Sequence, residues 1–456
     1  MCPMKPSAAF ALVALMSSCS SESSNDSSDT PPAPDAGDAQ GQPDGQIAES
    51  GAEADAPDAA EPDPCGPLGP AFARCAQNPL YTAGRKHPDG RLELFVADPS
   101  FLYDEDEHKW KAWWQSPLSE DYLAQDIATA ILYAESDDGL TWTVQDEPVL
   151  AAKRDPADWD YDSLETPTVI KVPGNPPQRR YVMFYSGGNY AAVQSPIAGY
   201  VWYQIGVAFS ADGRSFERLP ASESPYAGQT TPYQNIEGLL MLGRDAFPGM
   251  SGVYDGLVAD PDVVIVDGTW HLHFSSMPVD ESYAPLDFGI SHATSPDGLH
   301  WTMSQDNPVW VGMQPSVVWD DVAARFELYY NGDSDAEKGA APSQFNPSVH
   351  VSHATSSDGD SFVASSPIHV LDWDASNDYE EYGWLTGADA VLRPDGFWLY
   401  FTGFSSVNPP PNFYVPANHG WCANAGTKCT CYTEPGGDEV CLLPTVVTLN
   451  LARKRR

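Results

Sequence analysis

The chain has 456 residues and a formal net charge of −41. A balance this acidic excludes a phosphate-binding surface of clustered Lys and Arg, and with it a nucleic-acid partner. The terminal RKRR is too small to reverse it, and residues 452–456 read as a solvated basic tail.

The first nineteen residues, MCPMKPSAAFALVALMSSC, set one cation, Lys5, ahead of an apolar run from Ala8 to Met16 and small residues before Cys19. This fits an export signal and is too short to span a membrane. Its end resembles a bacterial lipobox, with Met16 where leucine is usual. The resemblance implies lipidation of Cys19, a lipid anchor as the only membrane contact, and a site at the cell surface or facing the periplasm; plain secretion is the alternative. Residues 20–64 hold twelve acids, no base and one large aliphatic residue, Ile47. Such a segment buries too little apolar surface to offset its ordering entropy and reads as a disordered tether. A lead-in at 65–77 carries Cys65 and Cys75, and an insertion at about 412–444 carries Cys422, Cys429, Cys431 and Cys441. In an exported chain these six read as three disulfides. A four-cysteine zinc site is the sharper reading, but the spacing lacks the paired C-x2-C of zinc modules, so no metal ligands are assigned.

A pattern then repeats. SDDGLTW at 136, SADGRSF at 210, SPDGLHW at 295 and SSDGDSF at 356 are Asp-Gly hairpins between strand-like runs. Upstream of them recur WKAWWQS, YVMFYSG, WHLHFSS, FELYYNG and FWLYFTG. Each of these follows a more apolar strand: ADPSFLYD, ETPTVIKV, ADPDVVIV, MQPSVVWD or ADAVLRPD. Five units of four antiparallel strands predict an all-β fold, a five-bladed propeller over residues 78–451. The fifth unit lacks an outer strand, and NPLYTAG at 78–84 supplies one, so an N-terminal strand closes the ring. A β-sandwich predicts no such displaced strand.

In a propeller the inner strands line the channel and their first residues converge at its mouth. Those openings carry Asp98, Glu165, Asp260, Gln314 and Asp389. Carboxylates crowded into one cleft drive one pKa up, so that one stays protonated near neutral pH while another is ionised. That pair is what glycosidic hydrolysis needs. The xDP and ETP openings and the SxDGxxW hairpins, in order across 78–451, resemble glycoside hydrolase family 43 and its invertase and levansucrase relatives. The resemblance implies a hydrolase of poly- or oligosaccharides with Asp98 as base, Glu165 as acid and Asp260 as the tuning aspartate. The order here is Asp, Glu, Asp, where the family runs Asp, Asp, Glu. This admits a rotated set of Asp389, Asp98 and Glu165, with Asp389 held in reserve. Some members hold a channel calcium ion; no EF-hand-like loop supports one here, and no cofactor is required. Sugar rings stack on aromatic faces, which makes Trp159, Tyr161 and Trp384, together with Gln314, the substrate-binding candidates, while Trp113, Trp114, Trp142 and Trp301 read as packing. The alternative function is a carbohydrate-binding propeller without catalysis.

Overall fold

The computed structural model describes residues 63–119, 129–161, 163–189, 202–332, 350–374, 376–380, 385–405, 414–416, 430–433, 439–444 and 446–456. The first nineteen residues with Cys19, all of residues 20–64 but the last two, and Trp384 lie outside them. Five antiparallel sheets are arranged as a five-bladed propeller. Their inner strands are Ala97–Asp104, Ser163–Lys171, Asp255–Val266, Met313–Asp320 and Thr386–Arg393. Each pairs with a second strand: Lys109–Ser119, Tyr181–Gly188, Thr269–Val279, Arg325–Asn331 and Gly396–Ser405.

The ring closes as the sequence implies. In blade 5 the strand Val446–Arg455 pairs with the second strand, and its other edge takes Tyr81–Thr82, opposite Leu449 and Thr448. The closure is longer than residues 78–84. Ala73–Arg74 pairs with Arg453 and Ala452, so the lead-in also belongs to blade 5. The basic end is accordingly not a solvated tail. Arg453 is buried over the Trp398 ring and bonds Asp63, Lys454 lies over Phe397, and Arg456 pairs with Asp320 of blade 4. Cys65 and Cys75 form a disulfide beside this seam. Of the other cysteines, the backbones of Cys431 and Cys441 face each other in a three-stranded sheet formed by 414–416, 439–444 and 430–433. Cys422 and Cys429 lie outside the described residues. Removing residues 63–84 would bare the edge of the closing strand, so the truncated chain is expected to melt well below the intact one by circular dichroism, with loss of a single cooperative transition.

The repeated Asp-Gly hairpins clasp neighbouring blades. In the first, Ser136 Oγ accepts the Gly139 N–H at 2.9 Å and Asp138 accepts those of Leu140 and Thr141, which fixes the turn. The glycine carbonyl then faces the preceding blade. Tyr400 donates to Gly139 O at 3.0 Å, Trp113 to Gly213 O at 2.8 Å, and His273 Nε2 lies 2.9 Å from Gly359 O. Blade 2 has Phe184 at the equivalent second-strand place, with no group to donate. His273 is thus a packing residue, and Trp113 and Trp114 are fully buried.

Candidate functional site

Every inner strand breaks its ladder at its mouth. The registers slip between Ala97 and Ser100, across Glu165–Thr168, and between Ala259 and Asp262, Met313 and Ser316, and Thr386 and Asp389. At each slip one residue is left-handed: Asp98, Thr166, Asp260, Gln314 and Gly387, with φ of 46, 45, 50, 49 and 54°. Four of the five are not glycine and pay for that conformation with strain, which tends to collect at functional sites. The bulge re-aims the side chain and ends pairing at the channel mouth.

The second-strand residue opposite the slip holds the ring together. Gln115 accepts the Thr166 N–H at 3.0 Å, Ser186 that of Asp260 at 2.9 Å and Ser275 that of Gln314 at 2.8 Å. Asn331 donates to Leu385 O at 2.7 Å, and Thr402 to Val96 O at 3.3 Å, which carries the ring from blade 5 back to blade 1. Two residues further along the inner strands a second ring forms. Ser100 accepts from Val169 N, Ser316 from Ala390 N, Asp262 from Val317 N, and Asp389 from Phe101 N.

This geometry settles the place of Asp389. Gly387, not Asp389, is the blade-5 counterpart of Asp98, and Asp389 is the counterpart of Ser100 in the deeper ring, where it ties blade 5 to blade 1. It still lines the channel pocket, together with Asp98, Asp260 and Asp262. Burial and the Asp262 charge push Asp389 well above the usual carboxylate range. The rotated set of Asp389, Asp98 and Glu165 is therefore not one constellation at one level.

Asp98 and Asp260 face the channel pocket with Thr166 and Gln314. Glu165 stands one residue outside the ring, opposite Ser186, and lines an adjoining pocket with Asp260, Gln314, Tyr203, Phe288, Leu257 and Met313. Asp98 and Glu165 are buried, Asp260 is half-buried, and the three are within electrostatic reach of one another. Asp98 accepts from Gln115 Nε2 at 2.6 Å and Gln314 Nε2 at 2.7 Å. The Gln314 amide cannot turn over, because its Oε1 accepts from Thr386 Oγ1 at 2.6 Å. Gly387 completes the cradle: a Cβ there would stand 2.5 Å from Asp98 Oδ1. Glu165 accepts from Tyr203 at 2.6 Å and from Ser163.

Burial pushes Glu165 up to about 7; the Ser163 and Tyr203 hydroxyls oppose the shift and the Asp260 charge adds to it. Burial pushes Asp260 up to about 6, against bonds from Ser275, Gln314 and Thr166. Burial, then Asp260 and Glu165, raise Asp98 well above its usual range. Its two amide donors act against this, since a protonated oxygen would forfeit one of them. The pocket therefore holds carboxylates in unlike states near neutral pH.

The aromatic candidates fare differently. Trp159 is wholly buried, stacked 5.6 Å from Tyr185 over Gly187 and Gly206, with Nε1 donating to Glu237 O at 2.7 Å. It is blade packing and has no face to offer a sugar. Tyr161 carries the Arg154 guanidinium 4.5 Å above its ring and does not line either pocket. Gln314 lines both, but its amide is engaged with Asp98. The sequence reading missed Tyr203, Gln115, Thr166 and Gly387. It also missed Tyr254, 54% exposed just ahead of the Asp260 strand and edge-on to Tyr283 at 5.5 Å.

No family model and no curated protein sequence matches the chain. Solved structures are similar to it at low identity. An inferred glycoside hydrolase of Parabacteroides distasonis is 13% identical, with 73% of this chain and 93% of that one aligned at a TM-score of 0.49. A family 117 glycoside hydrolase produced by the marine bacterium Zobellia galactanivorans is 14% identical over 84% and 91%, at 0.47. A thermostable family-43 glycoside hydrolase is 14% identical over 78% and 89%, at 0.43.

Proposed function

We propose that the chain is a glycoside hydrolase acting on poly- or oligosaccharides. The observation that carries this reading is the convergence of Asp98, Glu165 and Asp260, from three consecutive blades, on adjoining pockets at the channel mouth, with Glu165 at about 7. Protonated Glu165 gives its proton to the leaving glycosidic oxygen. Asp98, held as an acceptor by Gln115 and Gln314, is the ionised partner that activates water or attacks the anomeric carbon. Asp260 lines both pockets, and its charge raises both of the other acids. Tyr283, packed with Phe288 against Leu257 and Ala259 beside the Glu165 pocket, and Tyr254, edge-on to it, are the sugar-stacking candidates in place of Trp159.

On sequence grounds the enzyme is exported and held at the cell surface through Cys19. The Cys65–Cys75 disulfide supports an oxidising compartment. The test is a screen of the purified chain against chromogenic arabinosides, xylosides, fructosides, galactosides and mannosides. Release of chromophore from at least one of them, lost in Asp98→Asn, is the expected result. A glycan-array signal without release from any bound sugar would instead favour a binding propeller.

A further inference from the structure

A second cluster of chemistry-bearing groups lies away from the carboxylates, on the outer half of blade 4. The third strand, His350–Ser356, pairs with the outer strand, Val363–Asp372, in an irregular register. His350 faces Asp372 and Val351 faces Leu371, but Ser352 faces His369, so Val370 is an extra residue. In a regular ladder Ser352 would face residue 370, and His369 would point to the opposite side. The bulge turns His369 onto the face that already carries His350 and Asp372.

The result is compact. The imidazoles of His350 and His369 meet edge to face with ring centroids 3.7 Å apart. One ligand atom from each of the two histidines and from Asp372 lies within 4.8 Å of the others. His350 is buried, His369 half-buried and Asp372 exposed, which leaves the group open to solvent on one side. The nearby cation, Arg74, bonds the Asp372 carbonyl, while its charge is met by the buried Glu380 carboxylate. The histidines on the neighbouring blade are differently employed: His273 clasps Gly359, and His292 pairs with Asp360 at 2.8 Å.

We infer that His350, His369 and Asp372 bind a first-row divalent cation, zinc above all. Two imidazoles and one carboxylate are the donor set of an open tetrahedral site, with a solvent-side position for water. A chain with a net charge of −41 also gathers cations. The ion would fasten the outer two strands of blade 4 at its mouth end. The link to the channel is short: Asn331 donates to His350 O at 3.1 Å and to Leu385 O, two residues before the Gly387 that cradles Asp98. This inference does not depend on the hydrolase reading.

The test uses the untagged full chain, stripped with chelator and titrated with Zn²⁺ by calorimetry, and with Co²⁺ while visible absorption is followed. One equivalent is expected to bind, with the d–d bands of a low-coordinate Co²⁺ site. His369→Ala and Asp372→Asn, both at side chains that reach the surface, are expected to weaken binding tenfold or more. His300→Ala, at an exposed histidine in blade 3, is expected to leave it unchanged. Circular dichroism of the metal-free variants confirms that they are folded. Absence of stoichiometric binding by the parent chain would overturn the inference. Binding that persists in His369→Ala would do so too, since the ion would then sit elsewhere, for instance among the channel carboxylates.

Discussion

Glu165→Gln is expected to lower turnover on any cleaved glycoside by about 10²–10⁴-fold, the usual contribution of a general acid, with KM little changed. Gln keeps the length of Glu and an oxygen for Tyr203 and Ser163, but has no proton to give at the leaving oxygen. The pH profile of the parent enzyme should fall on the alkaline side through about 7, where Glu165 ionises and has no proton to give. A carboxyl raised in the folded state contributes its full share below its unfolded pKa, and that share is lost as pH rises through the folded value of about 7. At pH 8 the parent therefore carries a cost of about 3 kcal/mol that the amide lacks. The variant should melt at the same temperature as the parent near pH 4.5 and higher at pH 8. Unchanged turnover would remove Glu165 from the chemistry, and a lower melting temperature at pH 8 would make it a structural group.

The parts of this molecule legible in the sequence are those written in short-range patterns. The Asp-Gly hairpins and the apolar-then-aromatic strand pairs recur because each blade solves the same packing problem, and five copies outvote local noise. NPLYTAG stood out because a strand with no partner in its own unit must find one elsewhere. The acids at the mouth were legible for the same reason, being exceptions to a repeated apolar pattern. Depth along a strand was not. Asp389 and Asp98 look alike in sequence, and only the backbone slip shows that Gly387 is the true counterpart. Trp159 misled because a tryptophan in a polar stretch looks exposed, whereas two glycines of later strands, Gly187 and Gly206, open the slot it fills. The ends of the chain were misjudged in a similar way. Charge argued for solvent at RKRR, but Asp63, Asp320 and aromatic faces receive it.

Asp104→Asn is expected to be the most damaging single change away from the site, costing about 3–5 kcal/mol. Asp104 closes the inner strand of blade 1 at the end opposite the mouth. Its buried carboxylate accepts from Lys171 at 2.5 Å, from Tyr181 and from the Asp106 and Glu107 N–H groups, and lies 3.2 Å from Lys111. Lys111 is itself wholly buried and also reaches Tyr181, Glu107 and the Asp212 carbonyl of the blade-2 hairpin. Burial alone would raise the Asp104 carboxyl, but Lys171, Tyr181, the Glu107 N–H and Lys111 outweigh it and hold it below its usual range. Stability from this group is thus present above the unfolded pKa and lost as pH falls below about 4. The amide would leave a buried ammonium with only the half-exposed Glu107 as counter-charge. Thermal and denaturant melts should show the loss at pH 7, with the gap between parent and variant narrowing in acid. Replacing both partners, as Asp104→Leu with Lys111→Met, should recover much of it, because apolar groups of similar volume leave no buried charge uncompensated. A single variant as stable as the parent at pH 7 would show that the cluster contributes little to holding blades 1 and 2 together.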